Sequence, residues 1–466
     1  MLERPTFAIA ANRFGLGARP GDLGSIGDHG PDWLRAQLTG PAPQITDPAL
    51  RDSAGILAQT LELRKKIRAA RKAQDAAASD ELNRMKLPQL LRPIYLTEAR
   101  ARLREAVATD RPFVERLTHF WTNHFAVSVD KQAVLGLAGS LEREAIRPHV
   151  LGNFSDMLLA VEQHPAMLLY LDNHQSVGPH SKAGLRAERR NAQRKVGINE
   201  NLAREILELH TLGVGGGYTQ TDVTTFAEVI TGWSIGGDGG QFAWGEPGKF
   251  LFRTELHEPG SKVVVGRRYA DAGLGQGVAV LHDLASNHAT ATHIATKLAR
   301  HFIADDPPPA AVNRLSHAFV ASRGDLPTVY RALIDSREAW QQPLAKFKTP
   351  SDYVLSTFRG LQLPTDVDRT LLGPFEVLGQ RNYSPGSPAG WPDRSADWDG
   401  ASALLKRIEW ADAVGQRTGN RLDATELAAQ LLGETLTDAT RTAISHAASA
   451  AQAITLLVAA PEFMRR

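Results

Sequence analysis

Residues 199–214, Asn-Glu-Asn-Leu-Ala-Arg-Glu-Ile-Leu-Glu-Leu-His-Thr-Leu-Gly-Val, constrain the fold more than any other stretch. At roughly 100° per residue, Leu202, Ala203, Ile206, Leu207 and Leu209 share one broad apolar arc, while Asn201, Glu205 and Glu208 gather at its edge. The spacing predicts an amphipathic helix that packs on that arc and is stopped by the glycines beginning at Gly213. His210 falls in the middle of the arc. An imidazole turned into a core must find a partner there, so His210 is either a satisfied structural histidine or part of a site.

The same pattern recurs upstream. After Pro112, the residues Phe113, Val114, Leu117, Phe120, Trp121 and Phe125 form an apolar arc with His124 inside it and His119 and Asn123 outside. Two helices thus each carry one inward histidine. Such a pair can meet across a helix contact, as metal ligands or as a base and its orienting partner, or each can bond a nearby carbonyl and do nothing more.

Helical periodicity also covers 54–85, 93–109 and 141–171, a segment opened by Thr221 or Asp222, one from Asn287, and much of the chain after 344. In the Asn287 helix, Ala291, Ile294, Ala295, Leu298 and Phe302 face inward, and His293, Lys297 and Arg300 are placed outward. Strand pattern is confined to Phe250–Glu255 and Lys262–Val265, which read as a hairpin with His257 and Glu258 at its turn. The expectation is a mainly α, multi-helix globular domain with one small β-hairpin. It is a single domain over 1–466, with a basic surface loop at 175–198 (Lys182, Arg186, Arg189, Arg190, Arg194, Lys195), a hairpin insertion at 249–266 and a C-terminal helical part at 345–466.

Composition narrows the chemistry. A 42% hydrophobic content supports a packed core, and Lys+Arg 53 against Asp+Glu 51 leaves no global field to recruit nucleic acid. With no cysteine, disulfides, thiolate metal sites and cysteine nucleophiles are excluded. The N-terminus lacks a basic region followed by an apolar core, and no window holds about 18 uncharged apolar residues, so the expected compartment is the cytoplasm, without a membrane span. No Gly-x-Ser-x-Gly elbow, phosphate loop or dinucleotide fingerprint is present.

Taken in order, Asn12–Gly21, Phe120–Phe125, Tyr170–Asn173, Asn199–Val214, Gly217–Gln220, Asp222–Val223, Thr231–Trp233, Lys297–Leu298 and Gly390–Pro392 resemble the bacterial family known as domain of unknown function number 1800. The resemblance runs nearly end to end. It implies an exported partner protein encoded nearby, which makes the periplasm the alternative compartment. Two positions depart from the family pattern: His257-Glu258 stands where His-Asp is frequent, which keeps a carboxylate, and His288-Ala289 where His-Pro is frequent, which weakens any role for His288.

Three functions follow from these residues. The first is a hydrolase acting on a glycan or similar polar polymer, since sugar cleavage uses paired acid and base groups beside aromatic platforms. Its catalytic candidates are Glu205, Glu208, His210 and His124, and its substrate-binding candidates are Trp121, Glu200, Arg204, Asp222, Trp233, Gln380 and Trp391. The second is an enzyme dependent on a divalent metal (Zn, Mn or Fe) held by His124, His210 and His257 with Glu205 or Glu208, although no His-Glu-x-x-His pair is present. The third is a non-enzymatic binding or assembly protein that uses the basic loop and tryptophans against the exported partner.

Overall fold

Helix dominates the computed structural model, which describes residues 7–73, 87–190, 197–237, 244–341, 344–366 and 371–466. The principal helices are α1 (Ser53–Lys72), α2 (Leu87–Ala108), α3 (Pro112–His124), α4 (Phe154–Glu162), α5 (Lys182–Arg190), α6 (Asn201–Glu205) and α7 (Gln220–Val229). They continue with α8 (Leu274–Ala285), α9 (His288–Phe302), α10 (Pro309–Ala321), α11 (Leu326–Ile334), α12 (Pro350–Gly360), α13 (Ala401–Thr418) and α14 (Ala450–Val458). Among the described residues no helix is long and apolar enough to cross a membrane.

Helix α3 is the axis. Pro112 opens it without losing a hydrogen bond, because the first-turn N–H groups have no intrahelical partner. Phe113, Val114, Leu117, Phe120 and Trp121 are buried on it, and so are Glu115 and Arg116. A helix buried all round must neutralise its charges internally. Arg147 therefore grips Glu115 with both terminal nitrogens at 2.7 and 2.5 Å and reaches Glu142 at 2.8 Å, whose other oxygen meets Arg102 at 2.7 Å. Arg116 pairs with Asp352 of α12 at 3.0 Å.

Aromatic contacts bind distant segments to this axis. Phe14, from a π-helical turn over Ile9–Phe14, lies 5.6 Å edge-on from Phe113 and 5.9 Å from Phe302 of α9. Helix α9 packs on α10 and α10 on α11, while α13 and α14 lie side by side. Tyr353 of α12 meets Trp410 of α13 at 5.3 Å, so the buried apolar cluster runs from Phe7 to Met464.

The fold class agrees with expectation, but the strand pairing does not. Strand β1 (Trp233–Ile235) pairs antiparallel with β2 (Phe250–Phe252), and β3 (Lys262–Val264) with β4 (Arg267–Tyr269). The two segments expected to form one hairpin thus belong to different sheets. The reason is turn chemistry. Val265 and Gly266 sit at φ +48° and +74°, the two left-handed positions of a tight two-residue hairpin, whereas the stretch after β2 coils around His257. Valine is a poor left-handed residue, and the Val265 N–H is anchored by donating to Asp222 Oδ1 at 2.7 Å.

The basic segment also departs from its reading as a loop. Lys182–Arg190 form α5, started by Ser181, whose Oγ accepts the Gly184 N–H at 3.0 Å. Arg194 and Lys195 lie outside the described residues, as does the end of the segment expected over 54–85.

Candidate functional site

A helix leaves its last carbonyls without intrahelical partners, and the end of α6 puts those orphans to use. Past Glu205 the chain widens into a π-helical turn, Ile206–His210, steadied by the Thr211 hydroxyl donating to the Ile206 carbonyl at 2.6 Å. The Leu209 carbonyl accepts from His293 Nε2 at 3.0 Å, and the His210 carbonyl accepts from His124 Nε2 at 3.2 Å. The His210 ring turns the other way, its Nδ1 donating to the fully buried Glu162 of α4 at 2.7 Å. Gly213 follows at φ +84°, and a Cβ there would lie 2.7 Å from His293 Nδ1, so only glycine lets the chain turn beside that ring.

His124 stands at the wall of a cleft of about 360 Å³ enclosed by α3, α9, α12 and the loop from Gln380 to Asp397. The loop is pinned by Asn123, whose side-chain amide donates to the Trp391 carbonyl at 2.9 Å and whose oxygen accepts the Trp391 N–H at 2.7 Å. Trp391 is thereby held beside His124's helix, with Trp398 tilted against it at 6.1 Å. Gly390 makes the approach possible, at φ +83° with a hypothetical Cβ 2.3 Å from the Asn123 carbonyl oxygen. Gly390→Ala is expected to cost about 1–3 kcal/mol through strain and displacement of the loop, measurable as a lower denaturation midpoint and altered Trp391 fluorescence.

Electrostatics in the cleft are set by burial. Lys297 of α9 lines the cleft and pairs with no carboxylate among the described residues. Burial lowers its pKa to about 8, with Asp393 opposing and Arg300 adding to the shift. Burial, followed by the charge of Lys297, holds His124 well below the ordinary histidine range and therefore neutral. His124 Nε2 carries the proton it gives to the carbonyl, so Nδ1 is left as a lone-pair acceptor, and it has no partner among the described residues. His301, one turn beyond Lys297, donates from Nδ1 to Asp393 Oδ2 at 3.0 Å and is lowered to about 4 by burial. Burial pushes the Asp393 carboxyl up, but the hydrogen bond from His301 and the charges of Lys346 and Arg466 outweigh it and hold it well below the ordinary range.

With that geometry in place, the comparison with known families is decisive at one level: residues 9–465 match the profile described as Protein of unknown function (DUF1800). The chain belongs to the DUF1800 family. No curated protein and no solved structure matches it.

In this DUF1800 protein the sequence-derived candidates separate into groups. His124, Gln380 and Trp391 line the cleft, although Gln380 Oε1 is occupied by the Ser351 N–H at 2.7 Å. His210 lies behind the wall, its carbonyl accepting from His124 and its ring tilted 6.2 Å from the His124 ring. Glu205 and Glu208 are half-buried on another face of the π-turn and do not line the cleft; burial raises the Glu205 pKa, and Glu208 accepts from Tyr218 at 3.2 Å. Glu200 and Arg204 form a surface network with Gln220 and Thr224, and Asp222 closes the capping box of α7 with Thr219.

Trp121 and Trp233, read as substrate platforms, are core residues. Trp121 is fully buried, its Nε1 donating to Tyr330 at 2.6 Å, and Trp233 is sealed between Phe250 and Gly277. Their indoles faced inward because the neighbouring helices left them no open surface. Nor do His124, His210 and His257 converge. His257 Nδ1 donates to the Thr231 carbonyl at 3.1 Å, and among the described residues no group of three His, Asp or Glu side chains is disposed to hold a metal ion.

Lys297, Arg300, His301 and Asp393 were missed. The helical arc placed Lys297 and Arg300 outward, but their side of α9 faces the cleft. A signal was available: His293, Lys297 and His301 recur every four residues, a basic stripe bordering the apolar face.

Proposed function

We propose that the cleft is the active site of a hydrolase acting on a polar substrate of glycan type, with proton transfer carried by Lys297 and His124. The observation that carries this reading is the unpaired, partly desolvated Lys297 amine lining the same cleft as a neutral His124 whose Nδ1 has no partner among the described residues. Environments that push two groups apart define an acid and a base. Near pH 7 Lys297 is charged and able to donate, while His124 is neutral and able to accept. Glu162 and His210 are positioning residues in this scheme: they fix the π-turn whose carbonyl orients the His124 ring. Trp391 at the rim offers an aromatic face for a sugar ring. Glu205 and Glu208 lie too far around the helix to take part, so the acid–base pair passes to the lysine and histidine.

The reading is tested by screening wild type against glycoside, polysaccharide and ester substrates, then repeating any activity with His124→Gln and Lys297→Met. Expected is a rate that is flat below neutral pH, falls above about 8 as Lys297 loses its proton, and is lost in both variants. Activity that survives both substitutions would place the chemistry elsewhere.

A further inference from the structure

We infer that Lys297 and Arg300 form an oxyanion subsite, so that the substrate bound in this cleft carries a carboxylate, sulfate or phosphate group. The inference rests on the cleft being the substrate site, as proposed above, and goes on to name what that substrate must bear.

The argument is one of unspent charge. Most cations of the cleft are already committed: Arg102 to Glu142 at 2.7 Å, Arg116 to Asp352 at 3.0 Å, Arg381 to Asp130 at 3.0 Å and Arg394 to Asp306 at 3.1 Å. Lys297 and Arg300 are not. Among the described residues the Arg300 guanidinium uses only its Nε, donating to the Asp305 carbonyl at 3.2 Å, which leaves its two terminal nitrogens as a fork. The Lys297 ammonium has no hydrogen-bond or ion-pair partner among the described residues. They are three residues apart on α9, hence neighbours on one face, and they repel each other enough to help depress Lys297. Holding two cations side by side in a partly desolvated cleft costs free energy that a bound oxyanion would recover, and a fork beside a point charge matches its oxygens.

The carboxylates nearby do not supply that anion. Asp393 is divided among His301, Arg466 and Lys346, and Asp352 between Arg116 and Arg466. The remaining titratable neighbours of Lys297 are His124 and His293, both held neutral by burial. Asp397, the other carboxylate of the lining, is exposed and is not among the charges that shift Lys297, so a bound oxyanion would add a negative charge at the amine and favour its ammonium form. Reciprocity then requires that anion binding weaken as pH rises through the range in which Lys297 deprotonates.

The test is isothermal titration of the full chain with sodium sulfate, inorganic phosphate and galacturonate, with glucose as the neutral control. It is run at pH 7 and pH 9 on wild type, Lys297→Met, Lys297→Arg and Arg300→Gln, each checked for an unchanged unfolding midpoint. Expected is binding of at least one oxyanion, weakened tenfold or more in Lys297→Met and in Arg300→Gln. Binding should also weaken from pH 7 to 9 in wild type but not in Lys297→Arg, whose charge does not titrate. The three oxyanions distinguish the carboxylate, sulfate and phosphate sources. Absence of oxyanion binding to wild type, or equal binding by all four proteins, would overturn the inference. The two proposals fail separately: turnover of a neutral substrate without oxyanion binding removes this one alone, and oxyanion binding without turnover removes only the hydrolase reading.

Discussion

Replacing Lys297 with methionine is expected to lower kcat/KM by at least about 10²-fold, the usual contribution of a positioned proton donor. Methionine keeps the length and apolar stem of lysine, so the change removes the charge and the proton with little loss of packing. Stability should move the other way. The folded-state pKa of Lys297 is lowered to about 8 from 10.5, so between those values the unfolded chain binds more protons, and wild-type stability rises with pH across that window. Below it the buried ammonium is a standing cost. The methionine variant is therefore expected to unfold no more easily than wild type at pH 7, which distinguishes lost chemistry from lost fold. An inactive variant with a lowered melting temperature would point instead to a structural lysine.

Arg147→Met carries the largest expected effect on stability, a loss of about 3–5 kcal/mol, out of a total of about 5–15 kcal/mol for a typical domain. Arg147 is fully buried between Glu115 and Glu142, themselves fully buried. Burial pushes the Glu115 carboxyl up, but Arg147 and His119 outweigh it and hold it well below the ordinary range. A lowered carboxylate contributes stability above its unfolded value of about 4.5, and that contribution is lost as pH falls toward the folded value. Without Arg147 the sign reverses at Glu115, which loses its principal cation and gains stability on protonation, while Glu142 keeps Arg102 at 2.7 Å. Denaturant titrations at pH 7 and pH 5 should therefore show a variant whose deficit shrinks in acid, and Glu115→Gln added to Arg147→Met should restore part of the loss. A variant as stable as wild type at pH 7 would show that the cluster is hydrated and its charges screened.

The local periodicities were legible. Apolar arcs at 3.6-residue spacing located α3, α6 and α9, and the inward placement of His124 and His210 followed from counting residues along a helix. Nothing in those counts could give the distribution of roles between them. His210 lies on the arc as squarely as His124, yet its ring bonds Glu162 from α4 and packs behind His124 and Phe125 without lining the cleft itself. Likewise Glu205 and Glu208 are polar neighbours of a buried histidine in sequence but fall on a face of the turn that no cleft adjoins.

The sequence by itself determined the helical class, the family and which residues could be buried, because side-chain hydrophobicity and helical spacing act within a turn or two. Only the tertiary structure decided what an edge residue faces. Lys297 and Arg300 sit at the polar edge of an amphipathic helix, a position that means solvent when nothing is opposite. Here the loop pinned by Asn123 to Trp391 closes over that edge, and long-range packing turns an exposed face into the wall of a cleft.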